Sequence, residues 1–335
     1  MKKVKTVVRT KLATMLNALL FSGVVLSGAL VTNDAVANEV KNVAITAIVE
    51  HPALDAVRDG ALAELKKSGY EQGKNLKVDF QSAQGNTATA TQIARKFVGD
   101  KPDVILAIGT PSAQSVVAAT RNIPVVFSAI TDPVAAKLVK DWGASGTNVT
   151  GASDTLPIQP QIDLIKKLIP NLKKVGYVYS TGEVNSVVVL KQLQEAGKAN
   201  GFEVVEAPAP RTTDISLAVR SLKGKVDVIY SSTDNNVVSA YESLYKAALD
   251  SGIPIVASDT STVARGAIAA LSNNYYILGE ETGKMMARIL DGEKAGDMPV
   301  KTMDKLDLYL NLKSAKAFGV TVPQELIDSA KEVIQ

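Results

Sequence analysis

The sequence predicts an α/β protein of two Rossmann-like lobes, each with a parallel sheet, joined by a multi-strand hinge. Three observations support this fold class. Short apolar runs alternate with amphipathic segments, the same order recurs in the second half, and no Pro/Gly/Ser-rich linker separates the halves. Near-continuous apolar runs of this kind indicate parallel strands that helices cover on both faces.

The internal repeat defines the two lobes. The first half runs from "NVAITAIV" through "LKVDFQSA" and "DVILAIG" to "IPVVFSAI", with helix-like segments in between. From about residue 173, "KKVGYVYS" matches "KNVAITAI", "VDVIYSSTDNNVVSA" matches "PDVILAIGTPSAQSV", and "GIPIVASDT" matches "NIPVVFSAIT". A repeat of this length indicates two α/β lobes rather than a solenoid of shorter units.

The last part of the chain is expected to complete both lobes. It holds "AIAALSN", the helix-like "YYILGEETGKMMARILDG" and then "LYLNLKSAKAFG". Such strand–helix–strand material would cross back between the sheets. We therefore expect an N-terminal lobe at 38–153 plus about 274–303, and a C-terminal lobe at 154–273 plus about 304–335.

The first 37 residues resemble a secretory signal peptide. Five basic residues precede the apolar "LATMLNALLFSGVVLSGALV", and "AVA" at 35–37 fits a small-x-small cleavage site. A membrane anchor is the alternative, since about twenty weakly polar residues would cross a bilayer. The chain has no cysteine, so we expect no lipid anchor, and a cleaved protein would be held in a bacterial periplasm. Disulfides and thiolate chemistry are excluded as well.

The net charge argues against polyanionic partners. Residues 1–37 hold five of the 37 basic and one of the 34 acidic side chains, which leaves 32 basic and 33 acidic side chains and a charge of −1. No excess of positive charge would attract nucleic acid or an anionic membrane surface. Neither is expected as a partner.

Polar residues collect where the predicted strands end. In open α/β sheets, ligands bind outside the carboxyl ends of the strands. The crossover between the lobes adds Asn148, Thr150 and Asp154 to this group. The predicted ligand-binding residues are Glu50, His51, Pro52, Gly109, Thr110, Pro111, Ser128, Thr131, Asp132, Glu183, Asn185, Ser186, Thr233, Asp234, Asn235 and Asp259.

These residue types fit a zwitterionic ligand. Helix N-termini attract a carboxylate, and the acidic side chains attract an ammonium group. Helix capping by the same Ser, Asn and Asp residues is the alternative. Sugar is disfavoured because no aromatic residue falls at these strand ends, although a sugar or nucleoside stays open.

Catalysis has little support in the sequence. "GxSxG", Walker and "GxGxxG" motifs are absent, and His51 is the only histidine. We expect no catalytic residue, metal or cofactor. His51 is expected to contact the cleft as a neutral donor or acceptor, while Pro52 starts the following helix. An α/β enzyme remains the least favoured class.

The chain resembles ABC-transporter substrate-binding proteins, and more narrowly those of tryptophan/tyrosine type. The resemblance rests on "IVEHPALDAVRDG", "AIGTPSAQ", "IPVVFSAITDPVAAKLV", "NVTGASD", "YSTGEVNS", "SSTDNNVVSA" and "GAIAALSNNYYILGEETG". It implies a type I periplasmic-binding fold, capture of a small molecule by hinge closure, and an inner-membrane permease as partner of a monomer. Some members bind aromatic amino acids.

The resemblance also suggests roles for individual residues. Thr110, Asn185 and Ser186 would bind a carboxylate together with nearby backbone N–H groups. An acid among Asp132, Asp234 and Asp259 would hold the ammonium group. A module that reports to a membrane sensor instead of a permease would share all these features.

Overall fold

The structure is a computed structural model, and it describes residues 39–335. The predicted signal peptide at 1–37 lies outside the described residues. In the described part of the chain, no helix combines the length and the apolar character that crossing a membrane requires.

The first sheet has five strands, all parallel, in the order β2-β1-β3-β4-β5. Its central strand β3 is buried along its whole length, as expected for a sheet covered on both faces. The strands are β1 (Lys41–Ala47), β2 (Leu76–Ser82), β3 (Val104–Ile108), β4 (Val125–Ser128) and β5 (Val149–Ala152). Helices α1 (Pro52–Lys67), α2 (Thr87–Asp100) and α3 (Thr110–Ala119) connect the first four of them.

The second sheet has seven strands in the order β12-β11-β10-β9-β8-β6-β7. The strands are β6 (Lys174–Tyr179), β7 (Glu203–Pro208), β8 (Val228–Ser231), β9 (Ile255–Ala257), β10 (Ala269–Ser272), β11 (Asp307–Asn311) and β12 (Glu332–Ile334). The remaining helices are α4 (Ile158–Leu168), α5 (Val184–Asn200), α6 (Ile215–Ser221), α7 (Asn235–Ser239), α8 (Tyr241–Ser251), α9 (Tyr275–Leu290), α10 (Leu312–Ala317) and α11 (Gln324–Ser329).

The predicted α/β class with two parallel-dominated sheets is confirmed, with one exception in strand direction. Strands β10 and β11 pair antiparallel, whereas every other pair is parallel. The exception follows from the path of the chain. It returns to the second sheet from the hinge, at the edge where the other strands end, so β11 runs in the opposite direction.

Helix α9 packs against α1 in the first lobe, and glycines permit the close approach. A Cβ placed on Gly279 would lie 2.2 Å from the Val57 carbonyl oxygen, and one on Gly60 would lie 2.2 Å from the Tyr276 carbonyl oxygen. No side chain fits at such distances. The contact fixes the start of α9, and with it Tyr275, next to the start of α1.

Three chain segments connect the sheets: β5 to α4, β10 to α9, and the segment that leads from about residue 300 into β11. Backbone hydrogen bonds join the first and third, since Ser153 N donates to the Lys301 oxygen at 2.8 Å and Lys301 N to the Gly151 oxygen at 2.9 Å. The Asn273 side chain joins the first and second by donating to the Asp154 carbonyl at 3.1 Å. The hinge is therefore a small hydrogen-bonded unit rather than three loose connections.

Candidate functional site

A small cavity lies between the strand ends of the two lobes. We call it the interlobe cavity. Both lobes and the hinge contribute side chains to it. They are His51, Leu54, Ala129, Thr131, Asp154, Asn185, Thr233, Asn235, Val238, Asp259 and Tyr275.

Six of the predicted site residues line this cavity: His51, Thr131, Asn185, Thr233, Asn235 and Asp259. They come from the ends of five different strands, so parallel sheets that end at a common cleft bring them together. The other predicted site residues lie at the rim or inside a lobe, and most of them have structural partners.

In the first lobe, several predicted residues serve the local structure. Gly109 has φ of +84°, a conformation that favours glycine, at the start of α3, where Thr110 and Pro111 are buried. The Ser128 hydroxyl is hydrogen-bonded to Thr282 at 2.8 Å inside the lobe. None of these side chains reaches the interlobe cavity.

At the rim, two acids and a proline have local roles. Asp132 accepts hydrogen bonds from the Val134 and Ala135 amides at 3.0 and 2.9 Å. Glu50 is exposed and accepts a hydrogen bond from Gln84 at 3.1 Å. Pro52 occupies the first turn of α1.

In the second lobe, Asp234 is a fully buried cap of α7. Its carboxylate accepts bonds from the Ser180 amide at 2.6 Å, the Ser180 hydroxyl at 3.0 Å, the Ser186 hydroxyl at 2.7 Å and the Val237 amide at 2.9 Å. The Ser186 hydroxyl therefore donates its proton to Asp234. Burial raises the pKa of Asp234, and these donors oppose the rise.

Glu183 is the second buried acid of this lobe. Its Oε2 accepts bonds from the Asn185 side chain at 3.0 Å and from the Asn235 amide and side chain at 3.1 and 2.6 Å. Burial, with the neighbouring Asp234 carboxylate, raises the pKa of Glu183 to about 8. Glu183 thereby orients two asparagines that line the interlobe cavity.

Asp154 lines the cavity and has fewer hydrogen-bond partners than Asp234 or Glu183. It lies on the hinge segment after β5, is 4% exposed, and accepts one side-chain bond, from the Tyr275 hydroxyl to Oδ2 at 2.8 Å. Its Oδ1 has no hydrogen-bond partner among residues 39–335. Burial raises the pKa of Asp154 to about 6, and the Tyr275 and Thr131 hydroxyl groups oppose the rise. A bound cation would relieve this cost.

Two further cavity atoms lack partners within the described residues, namely Nδ1 of His51 and Oδ1 of Asn185. The Asn185 amide nitrogen already donates to Glu183 and to the Thr233 carbonyl, so its oxygen faces the cavity as an acceptor. Burial lowers the pKa of His51 to about 3, and the imidazole is therefore neutral. Three such atoms border one small cavity, and this arrangement suits a polar ligand.

The start of α1 adds positive potential to the same cavity. This helix is 16 residues long, its N-cap His51 makes no side-chain capping bond, and Leu54 of the first turn lines the cavity. Free N–H groups at a helix start attract anions. The cavity thus combines a helix N-terminus with the acceptor oxygens of Asp154 and Asn185.

A second small cavity, here called the inner cavity, adjoins the first. The two share Thr131, Asp154 and Thr233. The inner cavity extends into the second lobe beneath α4 and α5. Its own lining consists of Leu156, Ile158, Val189, Gln192, Tyr230 and Ser258.

The sequence did not single out several of these residues. Asp154 is grouped with the polar residues of the crossover, although "NVTGASD" marks a strand that ends in an acid. Tyr275 follows "SNN" at the start of α9, where the sequence indicates only a helix start. Tyr230 lies within β8 and is buried, yet it also lines the inner cavity.

Comparison with known proteins places the chain in a family. Residues 42–334 match the family described as ABC transporter substrate binding protein. The chain is 42% identical over 280 residues to a tyrosine-binding protein of Clostridioides difficile, which covers 84% of this chain and 81% of that relative. It also resembles the structure of a conserved domain protein from Vibrio cholerae, with 45% identity, a TM-score of 0.87, and coverage of 88% of this chain and 100% of that one.

Two further structures differ in ligand state. An ABC domain from Streptococcus pneumonia in complex with L-Trp gives a TM-score of 0.85 at 34% identity, over 88% of this chain and 99% of that one. The ligand-free, open structure of a substrate-binding protein with adhesive properties from Clostridium difficile gives a TM-score of only 0.67 at 42% identity. The match covers 88% of this chain and 100% of that one. The described lobe arrangement therefore corresponds to the ligand-bound relative rather than to the open one.

Contacts between the lobes agree with a closed arrangement. A Cβ placed on Gly109 of the first lobe would lie 3.4 Å from Oδ1 of Asn235 in the second. Val184 of the second lobe packs against the core of the first. With its two parallel-dominated sheets, its interlobe cavity and a family match over nearly all described residues, this chain belongs to the ABC-transporter substrate-binding proteins.

Proposed function

We propose that this protein binds an aromatic amino acid in the interlobe cleft by hinge closure and delivers it to an ABC importer. The observation that carries the proposal is the set of unpartnered buried atoms on the interlobe cavity: Nδ1 of His51, Oδ1 of Asp154 and Oδ1 of Asn185. The last two are acceptors and suit the donors of an ammonium group.

The ammonium group of the ligand would lie against Asp154. This acid has a free oxygen that faces the cavity, whereas Asp132 and Asp234 use theirs for backbone and hydroxyl donors. Asp259 lines the cavity as well and accepts a bond from the Ser261 amide at 2.9 Å. It would add negative charge without being the main partner.

The ligand carboxylate would lie at the start of α1, where the helix N-terminus is uncapped. Thr131 and Thr233 line the cavity and carry hydroxyl groups that are able to donate. The expected carboxylate contacts from Thr110 and Ser186 receive no support from the geometry, because neither residue lines the cavity. Asn185 would act through its oxygen on the ammonium side.

The inner cavity favours an aromatic side chain. Leu156, Ile158 and Val189 give it aliphatic walls, and it adjoins the proposed position of the α-carbon. The relatives named above, one a tyrosine-binding protein and one in complex with L-Trp, support the same class. A sugar or nucleoside lacks the permanent cation that a buried carboxylate requires.

Closure would bring two rigid bodies together, namely residues 38–153 with about 274–303 and residues 154–273 with about 304–335. Both bodies contribute cavity residues, so the full set of contacts forms only in the closed state. Substrate-binding proteins of ABC transporters are extracellular or periplasmic. Here we propose the periplasm, a signal peptide cleaved near Ala37, and a monomer that an inner-membrane permease recognises.

The test is a thermal-shift screen of purified protein, freed of ligand, against amino acids, sugars and nucleosides, followed by calorimetry. Mass spectrometry of ligand released on denaturation would identify the natural compound. Stabilisation by tyrosine, tryptophan or phenylalanine is the expected result. Stabilisation by sugars alone would refute the proposal. Capture with a permease would distinguish transport from a role in sensing.

A further inference from the structure

The lining of the inner cavity combines aliphatic and polar side chains. Leu156 and Ile158, at the start of α4, and Val189 of α5 supply aliphatic surface. Gln192 and Tyr230 border the same space and carry hydrogen-bonding groups. A pocket of this composition fixes orientation through its few polar groups.

One face of α5 connects the two cavities. Asn185 lines the interlobe cavity, while Val189 and Gln192, four and seven residues further along, line the inner cavity. These positions share one side of a helix. With a rise of 1.5 Å per residue, Gln192 lies roughly 10 Å along α5 from Asn185. A ligand whose amino group meets Asn185 would extend its side chain toward Gln192.

Gln192 and Tyr230 keep hydrogen-bonding capacity for a ligand. Gln194, two residues further along α5, donates to Glu206 at 2.9 Å, whereas Gln192 makes no side-chain hydrogen bond within the described residues. Tyr230 is 2% exposed; burial raises its pKa to about 12, a hydrogen bond with Ser258 opposes the rise, and the hydroxyl keeps its proton. Its ring stacks on Tyr177 with centroids 6.5 Å apart, which fixes its position.

We infer that Gln192 and Tyr230, which line the inner cavity but not the interlobe cavity, are specificity residues that bind the phenolic hydroxyl of tyrosine. This inference rests on the proposed function and adds the choice among aromatic amino acids. A site that hydrogen-bonds a ligand hydroxyl rejects the analogue without it, because its own buried polar groups are then left unpaired. Phenylalanine is that analogue. The phenol both donates and accepts, as do the carboxamide and the Tyr230 hydroxyl.

The test measures the dissociation constants of L-tyrosine, L-phenylalanine and L-tryptophan by calorimetry. The proteins are the wild type, Gln192→Leu, Tyr230→Phe and the matched control Gln194→Leu on the same helix. The wild type should bind tyrosine at least about tenfold more tightly than phenylalanine. Gln192→Leu and Tyr230→Phe should each reduce this ratio by weakening tyrosine binding, and Gln194→Leu should leave the ratio unchanged.

The outcomes separate two kinds of failure. If the wild type binds none of the three amino acids, the proposed function itself is refuted. If it binds them but does not prefer tyrosine, or if both variants bind phenylalanine and keep the wild-type ratio, only the inference about Gln192 and Tyr230 is refuted. Phenylalanine binding reports that each variant retains a folded cavity, and Gln192→Leu decides the question if Tyr230→Phe does not fold.

Discussion

Asp154 and Asp234 are both completely buried acids near the ends of strands, yet their surroundings are opposite. Asp234 lies inside the second lobe and accepts four hydrogen bonds from three residues of that lobe. Asp154 lies at the hinge, accepts one side-chain bond from Tyr275, and keeps Oδ1 unpartnered within residues 39–335. The protein satisfies the charge of Asp234 itself, whereas the proposed ligand would satisfy the charge of Asp154.

The comparison separates a structural role for Asp234 from the proposed ligand-binding role of Asp154. The donors around Asp234 hold the starts of α5 and α7 together, because Ser186 and Val237 belong to these helices. Asp154 has no comparable set of donors, so its ionised form is costly until a cation arrives. Each prediction below tests one side of this difference.

The largest effect is expected from Asp234→Ala. Removal of this carboxylate leaves the amides of Ser180 and Val237 and two serine hydroxyls without their acceptor, which should cost on the order of 4 kcal/mol of unfolding free energy. Urea denaturation followed by circular dichroism measures this. A variant as stable as the wild type would contradict the structural role.

Asp154→Asn should weaken ligand binding and, in contrast to Asp234→Ala, should stabilise the unliganded protein. Loss of the partner of the ammonium group should weaken amino acid binding roughly 100-fold by calorimetry. The unliganded protein should become more stable at pH 8, by up to about 3 kcal/mol, because the cost of ionising a carboxyl with a pKa of about 6 disappears. Unchanged affinity in a folded variant would remove Asp154 from the site.

Binding should depend on pH through Asp154. Its pKa in the unliganded protein is raised to about 6, and only its ionised form attracts the ammonium group. Affinity should therefore be nearly full at about pH 7 and above, about twofold weaker at pH 6 and about tenfold weaker at pH 5. The same raised pKa makes the unliganded fold gain stability as pH falls from 6 toward 4. Calorimetry from pH 5 to 8 checks the affinity, and Asp154→Asn should abolish this dependence.

His51→Ala should have a smaller effect on affinity. The imidazole is neutral and supplies a single atom to the cavity, so its loss should weaken binding roughly tenfold with no change in pH dependence between 5 and 8. Calorimetry at three pH values measures both. A dependence on pH that the histidine substitution removes would show that His51 titrates.

The smallest effect is expected from Tyr275→Phe. The Tyr275 hydroxyl donates to Oδ2 of Asp154 and thereby lowers the pKa of this acid. Without it, the pKa of Asp154 rises further, and the pH at which binding weakens should move upward. The affinity at pH 8 should change far less than in Asp154→Asn. A midpoint that stays at the wild-type pH would show that the hydroxyl does not tune Asp154.

The sequence predicts the architecture well because its signals are local and repeated. Apolar runs such as "DVILAIG" mark buried parallel strands, and their repetition reveals the second lobe. The direction of β11 is not encoded in this way. It depends on where the chain leaves the hinge, which is a property of the assembled fold.

The candidate site can be predicted only in part from the sequence, because the role of a buried acid depends on the hydrogen-bond partners that the fold brings to it. As sequence, Asp154 and Asp234 are both acids that follow a strand and small polar residues. The three residues that supply donors to Asp234 come from the end of one strand and from two helices, at separations of up to 54 residues. Likewise, Leu156 and Tyr230 border a cavity only because α4 and α5 leave a space over β8.

The position of Asp154 on the hinge has a kinetic consequence. A residue near the axis of rotation moves little when the lobes separate, whereas His51 and Asn185 lie on opposite lobes and move apart. An arriving ligand would therefore meet Asp154 first, in the open form, and gain the other contacts afterwards. Substitution of Asp154 should slow capture of the ligand, whereas substitution of Asn185 should mainly hasten its escape.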